Sequence, residues 1–471
     1  LSISAWAGLF YCFGTRIKNE GEVIMSTKSS IGNTGIYDAR ELGNGRMLIL
    51  GLQHMFAMFG ATVLVPALTG LSVSATLLFA GLGTLLFHLF AKGKVPAFLG
   101  SSFAFLAGYW TIAPNGEKEL LPYACLGVAA AGLVYLVLAL LFKLFDAKKV
   151  MRFFPPIVTG PIIISIGLTL SSSAIGNCNA NWLIALIAIV VVIVCNIWGR
   201  GMIKIVPILL GVVASYVVAA ITGNVDFTPV REAAWIGLPF KMEDTVFSIF
   251  KAPDTSLIIT SIVTIVPISI ATIVEHIGDI SAISSTVNKN FIREPGLHRT
   301  LLGDGLATSL ASLFGAPANT TYGENTGVLA LTKVYDPKVV RLAALFAMVL
   351  SFSPKVAALI SSMPAATIGG VSLILYGMIS AIGVRNVVEN RVDFSKGRNV
   401  IIAALILVLS IGINYGTEAQ AIVFSISGIN ISLSGLAVGA IIGIFLNAVL
   451  PGKDYEFGKD PQADSSANLK V

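Results

Sequence analysis

Glu275 and Asp279 stand four residues apart in an apolar stretch, Ile270-Ala271-Thr272-Ile273-Val274-Glu275-His276-Ile277-Gly278-Asp279. That spacing puts both carboxyls on one face of a helix. A third acid, Glu324, sits in a segment rich in turn and amide residues, Pro317-Ala318-Asn319-Thr320-Thr321-Tyr322-Gly323-Glu324-Asn325-Thr326-Gly327. Burial favours a neutral carboxyl over a carboxylate, so acids held among apolar residues are suited to taking up and releasing protons. Metal and redox chemistry are not indicated, and no cofactor is expected. The four cysteines (Cys12, Cys125, Cys178, Cys195) form no CxxC pair, and the four histidines include no HxxxH pair.

These acids must be positioned by elements that live in lipid. Hydrophobic residues make up 55% of the 471-residue chain and charged residues 12%, against roughly 25% charged in ordinary soluble domains. A chain whose solvent is hydrocarbon needs no charged shell. A carboxylate at bilayer depth costs at least ~2.5–3.5 kcal/mol, so it is expected to face a polar site. A helix-end cluster wetted by headgroups suits Glu275 less well, because that residue follows a long apolar run. The net charge of +6 comes from short basic clusters between apolar runs, the pattern of cytoplasmic loops. It does not point to nucleic acid.

A bilayer core of about 30 Å needs around 20 apolar residues per helix. Runs of that kind lie near 47–68, 73–91, 121–142, 154–175, 181–199 and 202–222. A second set lies near 256–284, 300–315, 338–362, 366–384, 399–415 and 433–450. Two shorter pieces broken by Gly and Pro, 95–110 and 316–331, raise the expected crossings to fourteen. Basic clusters such as Lys148, Lys149 and Arg152, or Lys333, Lys338 and Arg341, then alternate with acidic or uncharged loops only if both broken pieces cross. Both termini are expected in the cytoplasm.

The expected fold is an all-α polytopic membrane protein. An N-terminal cytoplasmic segment (1–46) precedes a first seven-segment repeat (47–222). An extracellular connection (223–255), a second repeat (256–450) and a polar cytoplasmic tail (451–471) follow. Seven is odd, so the second repeat runs inverted to the first, as in many secondary transporters. Met25 is expected to be the natural start, with residues 1–24 an upstream stretch. Native peptides from before Met25 would overturn this.

The broken pieces are third in each set. The first reads Pro96-Ala97-Phe98-Leu99-Gly100-Ser101-Ser102-Phe103-Ala104-Phe105. Irregular backbone survives at membrane depth only where protein or a cavity surrounds it. Paired interruptions in corresponding positions therefore point to a transporter's binding site. Each is expected to be a short extended piece leading into a half-helix whose amides face the ligand. His54, in the first span, is either a satisfied buried histidine or an orienting partner for polar side chains in the broken pieces.

Glu324-Asn325-Thr326-Gly327, followed after four residues by Thr332-Lys333, resembles the signature of the nucleobase–ascorbate transporter family. Asn319 to Asn325, Gln53-His54-Met55-Phe56-Ala57-Met58-Phe59-Gly60 and Gly369-Gly370-Val371-Ser372-Leu373-Ile374-Leu375-Tyr376-Gly377 are similar to its bacterial uracil:proton symporter branch. The resemblance spans about Gly51 to Ala448. It implies extended strands in segments 3 and 10, a core domain (approximately 47–142 and 256–362), and a gate domain (approximately 154–222 and 366–450). It also implies alternating access, commonly in homodimers.

By position, Glu275 and Glu324 would bind the pyrimidine edge. Backbone amides at Phe103 and Gly323 would hold a carbonyl oxygen, and Phe103, Tyr322 and Tyr376 would lie close to the ring. Proton coupling would fall to Glu275, Asp279 and Glu324, with His54, Asn325 and Ser101 in support. The expected partners are uracil and protons. One departure matters: the uracil branch commonly carries a histidine where this chain has Asp279, and acids there occur in purine carriers. Glu324 pulls the other way, because purine carriers usually have glutamine. A xanthine or uric acid carrier is thus the alternative within the class. An intramembrane enzyme would need a nucleophile or an HExxH cluster, which the chain lacks. An ion channel fits the paired interruptions less well.

Overall fold

In the computed structural model, the described residues are 35–145, 147–418, 420–426 and 429–453. For Ala147, Lys148, Glu324, Ile426, Ile429 and Asn430 the description covers the backbone alone. Met25, residues 1–24 and most of the C-terminal tail lie outside the described residues.

The first half holds α1 (Asn44–Thr69), α2 (Val73–Phe90), strand β1 (Leu99–Ser101), α3 (Leu106–Ile112) and α4 (Leu121–Leu144). It continues through α5 (Ala147–Met151), α6 (Pro156–Thr169), α7 (Ser171–Cys178), α8 (Trp182–Ile197), α9 (Met202–Ile205) and α10 (Pro207–Ile221). After α11 (Thr228–Glu232) come α12 (Thr255–Ile265), α13 (Ser269–Val287), α14 (Leu297–Leu313), strand β2 (Asn319–Thr321) and α15 (Glu324–Thr332). The chain closes with α16 (Pro337–Ser351), α17 (Pro354–Ser361), α18 (Ala365–Glu389), α19 (Gly397–Gly416), a hairpin of β3 (Ala421–Ile426) and β4 (Ile429–Ser434), and α20 (Gly435–Val449).

Among the described residues, seven helical stretches are long and apolar enough to cross a bilayer, or eight if α16 and α17 form one span. Outward faces stay apolar both on these stretches and on the shorter apolar helices: Val400 and Val408 on α19, and Leu183, Val190 and Ile197 on the shorter α8, are exposed. Lipid is the solvent that makes such a surface stable, because a helix satisfies its own backbone there.

Several expected spans are not continuous rods: 154–175 divides into α6 and α7, and 202–222 into α9 and α10. The run 338–362 is bent by 89° between α16 and α17, where Pro354 opens the second piece without an N–H to donate. The run 256–284 carries a 3₁₀ turn at Val266–Ile268 around Pro267, which separates α12 from α13. The hairpin after α19 falls in a stretch the sequence reading leaves as a loop.

Packing falls into two groups of helices. In one, α14 lies on α4 and α2, and α16 on α1 and α2. In the other, α18 lies on α6, α7 and α8, and α19 on α6 and α20. Small residues set the approach distances, as membrane helices require. A Cβ on Gly132 of α4 would stand 2.7 Å from the Gly305 carbonyl oxygen of α14, and one on Gly167 of α6 would stand 2.1 Å from the Tyr376 carbonyl oxygen of α18.

Candidate functional site

The two broken pieces meet each other. β1 and β2 pair antiparallel, Leu99 opposite Thr321, Gly100 opposite Thr320 and Ser101 opposite Asn319. One further bond extends the ladder at each end: the Ser102 amide donates to the Ala318 carbonyl and the Tyr322 amide to the Phe98 carbonyl, both at 3.0 Å. Because the strands run oppositely, α3 and α15 leave the ladder in opposite directions.

A two-stranded ribbon has two unpaired edges, and in a buried place each polar group there needs a partner. Side chains supply them. Thr84 Oγ1 accepts the Leu99 amide at 2.9 Å, and Thr308 Oγ1 donates to the Asn319 carbonyl at 2.9 Å. Ser101 Oγ donates to the Thr62 carbonyl at 3.0 Å, and Asn319 Nδ2 to the Phe79 carbonyl at 2.6 Å. This is why hydroxyl and amide residues crowd the broken pieces. Past the ladder, the amides of Phe103 and Gly323 donate to no backbone carbonyl among the described residues. Both follow the last bonded residue of their strand, Phe103 three residues before α3 and Gly323 directly before α15.

Tyr322 serves the ribbon as well. Its hydroxyl donates to the Ser101 carbonyl at 2.9 Å, and its ring lies over Gly100, where a Cβ would come within 2.6 Å of Cε2. Thr62 Oγ1 would be 2.8 Å away on the same side. Gly100→Ala is therefore expected to displace Tyr322 at about 1–3 kcal/mol of overpacking. Lower thermal stability in detergent, together with lost uptake, would show it. An unchanged melt would mean that the ribbon yields.

The acids arrive on α13. Glu275 is half-buried, and Asp279, one turn on, is buried. Asp279 accepts a hydrogen bond from Thr321 Oγ1 of β2 at 3.2 Å, and its Oδ1 lies 3.2 Å from where a Cβ on Gly323 would be. The backbone of Glu324 opens α15 directly after Gly323, and its carboxyl lies outside the described side chains.

Behind Asp279 stands a pair whose role was not assigned from the sequence. His276 Nδ1 is 3.0 Å from Asp304 Oδ2 of α14, and both side chains are fully buried. The same nitrogen is 3.2 Å from Thr321 Oγ1, and His276 Nε2 is 3.0 Å from Thr300 Oγ1. Thr321 therefore joins Asp279 to the His276–Asp304 pair. The signal for Asp304 was present, as a lone acid between Gly303 and Gly305 in the 300–315 run. The cost argument applied to Glu275 applies equally there.

Phe103 and Tyr376 meet edge to face with ring centroids 5.6 Å apart, so α18 reaches the start of α3. His54 and Asn325 are buried, and their side-chain nitrogens and oxygen have no hydrogen-bond partner among the described residues. His88 is buried and structural, with Nε2 2.9 Å from the Ala97 carbonyl oxygen.

A cavity of about 720 Å³ lies among α3, α7, the middle of α12, the end of α19 and the β3–β4 hairpin, lined by Trp110, Ser173, Thr260, Asn414 and Gln420. It shares Ala107, Thr169, Leu170 and Asn414 with a small pocket that reaches Phe103. Of the residues named above, Phe103 lines the small pocket, whereas Glu275, Asp279, Gly323, Tyr322 and Tyr376 line neither space.

A many-helix apolar chain with two interrupted segments joined at a polar centre is a membrane permease. The chain belongs to the permease family whose model matches residues 45–419, the nucleobase–ascorbate transporters. It is a transporter and not an enzyme. The uracil permease of Bacillus caldolyticus is 42% identical over 418 residues, 87% of this chain and 93% of that one. The uracil permease of Bacillus subtilis (strain 168) is 40% identical over 428 residues, 88% of this chain and 94% of that one. Among solved structures, the transmembrane domain of the cyanobacterial bicarbonate transporter BicA shares the fold with a TM-score of 0.55 at 15% identity, covering 88% of this chain and 99% of that one.

Proposed function

We propose that this permease is a uracil:proton symporter that imports uracil across the cytoplasmic membrane by alternating access. The observation that carries the reading is the ladder. It holds two open amides, at Phe103 and Gly323, next to the helix bearing Glu275 and Asp279. In this reading Glu275 and Glu324 hold the N–H and carbonyl edge of the pyrimidine, and the two amides take a carbonyl oxygen. Phe103 and Tyr376 pack beside the ring, with Tyr322 close by through its hold on the ribbon. His54, Asn325 and Ser101 support the polar centre. Glu275, Asp279 and Glu324 exchange the coupled proton. The two relatives named uracil permease support this choice of substrate.

The chain crosses fourteen times as two inverted repeats with both termini cytoplasmic, and it works as a homodimer. Its core domain takes in approximately 47–142 and 256–362, and its gate domain approximately 154–222 and 366–450. The two groups of packed helices support that division. The membrane potential contributes about 2.3 kcal/mol per charge per 100 mV, so one proton per cycle suffices to concentrate a neutral base.

Purified protein in liposomes is expected to accumulate labelled uracil when the outside is acid, and only to equilibrate it without a gradient. Gradient-independent accumulation would refute the coupling. Asp279 favours one second reading, a xanthine carrier. Unlabelled xanthine competing better than uracil would establish that reading instead.

A further inference from the structure

The segment ahead of α1 touches both site-bearing helices at the ends away from the ladder. Ile36 forms a parallel bridge with Val334. Its amide donates to the Lys333 carbonyl and its carbonyl accepts the Tyr335 amide, each at 2.8 Å. Tyr37 Oη donates to the Val287 carbonyl at 2.8 Å, and Lys289 Nζ stands 4.2 Å from the centroid of the Tyr37 ring.

These partners are not arbitrary. α13 ends at Asn288 and α15 at Lys333, both with positive φ, 56° and 55°. The last carbonyls of a helix have no partner within it. Residues 36 and 37 supply a donor to one such carbonyl group at the end of each helix.

The segment is anchored beyond those two residues. The Ala39 amide donates to Asp336 Oδ2 at 2.9 Å, and the same carboxylate caps α16 through the Lys338 amide at 2.9 Å. Asp38 faces Lys338 at 3.4 Å, and hydrogen bonds from Arg40 hold its carboxyl below the usual carboxylate range. Ile36 and Ala39 are buried against Val334 and Val339.

We propose that residues 36–42 are a clasp that stays closed through the transport cycle, and that Tyr37 is a positioning residue for the substrate site. α13 carries Glu275 and Asp279, and α15 begins at Glu324. Tying their far ends together makes the two helices tilt as one body, so the spacing of the acids across the ladder survives the movement. The inference rests on the site reading above, and its tests separate the two.

The first test replaces Ile36 and Val334 with cysteine in a background lacking the four native cysteines. Neighbouring strands lie about 4.7–4.9 Å apart, within the span of a disulfide. Oxidation is expected to cross-link the pair and leave uracil uptake in liposomes unchanged. Uptake that stops on oxidation and returns with reductant would mean that the segment must open, and would overturn the clasp. Failure to cross-link would do the same.

The second test is kinetic. Tyr37→Ala is expected to raise the KM for uracil several-fold with the maximal rate per folded transporter little changed. Tyr37→Phe, which keeps the ring against Lys289, is expected to fall between Tyr37→Ala and the parent. Unchanged KM in Tyr37→Ala would overturn the proposal. If that variant does not fold, the cross-linking arm still decides. If the parent protein takes up no uracil, the site reading has failed, and the cross-linking is then read with the nucleobase that the parent does carry.

Discussion

Glu275→Gln and Glu324→Gln are each expected to abolish proton-driven uptake of labelled uracil. Glutamine keeps the size of the side chain but offers an N–H₂ where a ring N–H seeks an acceptor, and it cannot carry a proton at any working pH. A hydrogen bond to a charged group contributes about 1.5–3 kcal/mol. Binding should therefore weaken by roughly 10- to 100-fold from that loss alone. Loss of a titrating site then removes accumulation even where substrate is saturating. Uptake into liposomes with an acid exterior, at matched protein levels, is the measurement. Proton-coupled uptake retained by either variant refutes that residue's role. Exchange of internal for external uracil adds a finer reading, because a variant that exchanges but does not accumulate has lost coupling and kept its site.

Asp304→Asn and His276→Ala are expected to have the next largest effect, by a different route. Neither side chain is exposed, and each is the other's close partner at 3.0 Å. Removing one member of a buried ion pair costs about 3–5 kcal/mol. Loss of His276 leaves the Asp304 carboxyl without its close partner, whereas His276 without Asp304 keeps Thr300 and Thr321, so His276→Ala should be the costlier. Both single variants should melt at lower temperature in detergent. Both should lose uptake, because Thr321 is held between this pair and Asp279. The double replacement His276→Phe with Asp304→Leu removes both polar groups together, and it is expected to recover much of the melt without recovering uptake. If the double variant melts no better than the singles, the pair is not a mutually compensated unit. If a folded single variant transports normally, the pair does not position the site.

The class of this protein and the identity of its expensive residues were legible in the sequence because both follow from local composition. A 12% charged chain has no means of covering itself against water, and Glu275 is conspicuous because it follows a long apolar run. The interruptions at 95–110 and 316–331 were legible for the same reason, since Gly and Pro act on the backbone where they stand. The family signature after Glu324 is likewise a contiguous string.

Tertiary structure alone decided what lies across from what. The pairing of Gly100 with Thr320 joins residues more than two hundred positions apart, and no periodicity encodes it. The same holds for the Ile36 bridge to Val334 and for the His276–Asp304 pair, each spanning separate elements. Asp304 was visible as a lone acid, but its partner was not. Side-chain hydrogen bonds that close the edges of a buried ribbon depend on three-dimensional neighbours, so Thr84, Thr308 and Tyr322 acquired their work only when the helices were packed. The sharp bend before Pro354 illustrates the division: the proline is visible in the sequence, but the 89° angle between α16 and α17 is not. Local chemistry named the acids; long-range packing chose their partners, because burial makes every unpaired polar group seek whichever neighbour the fold delivers.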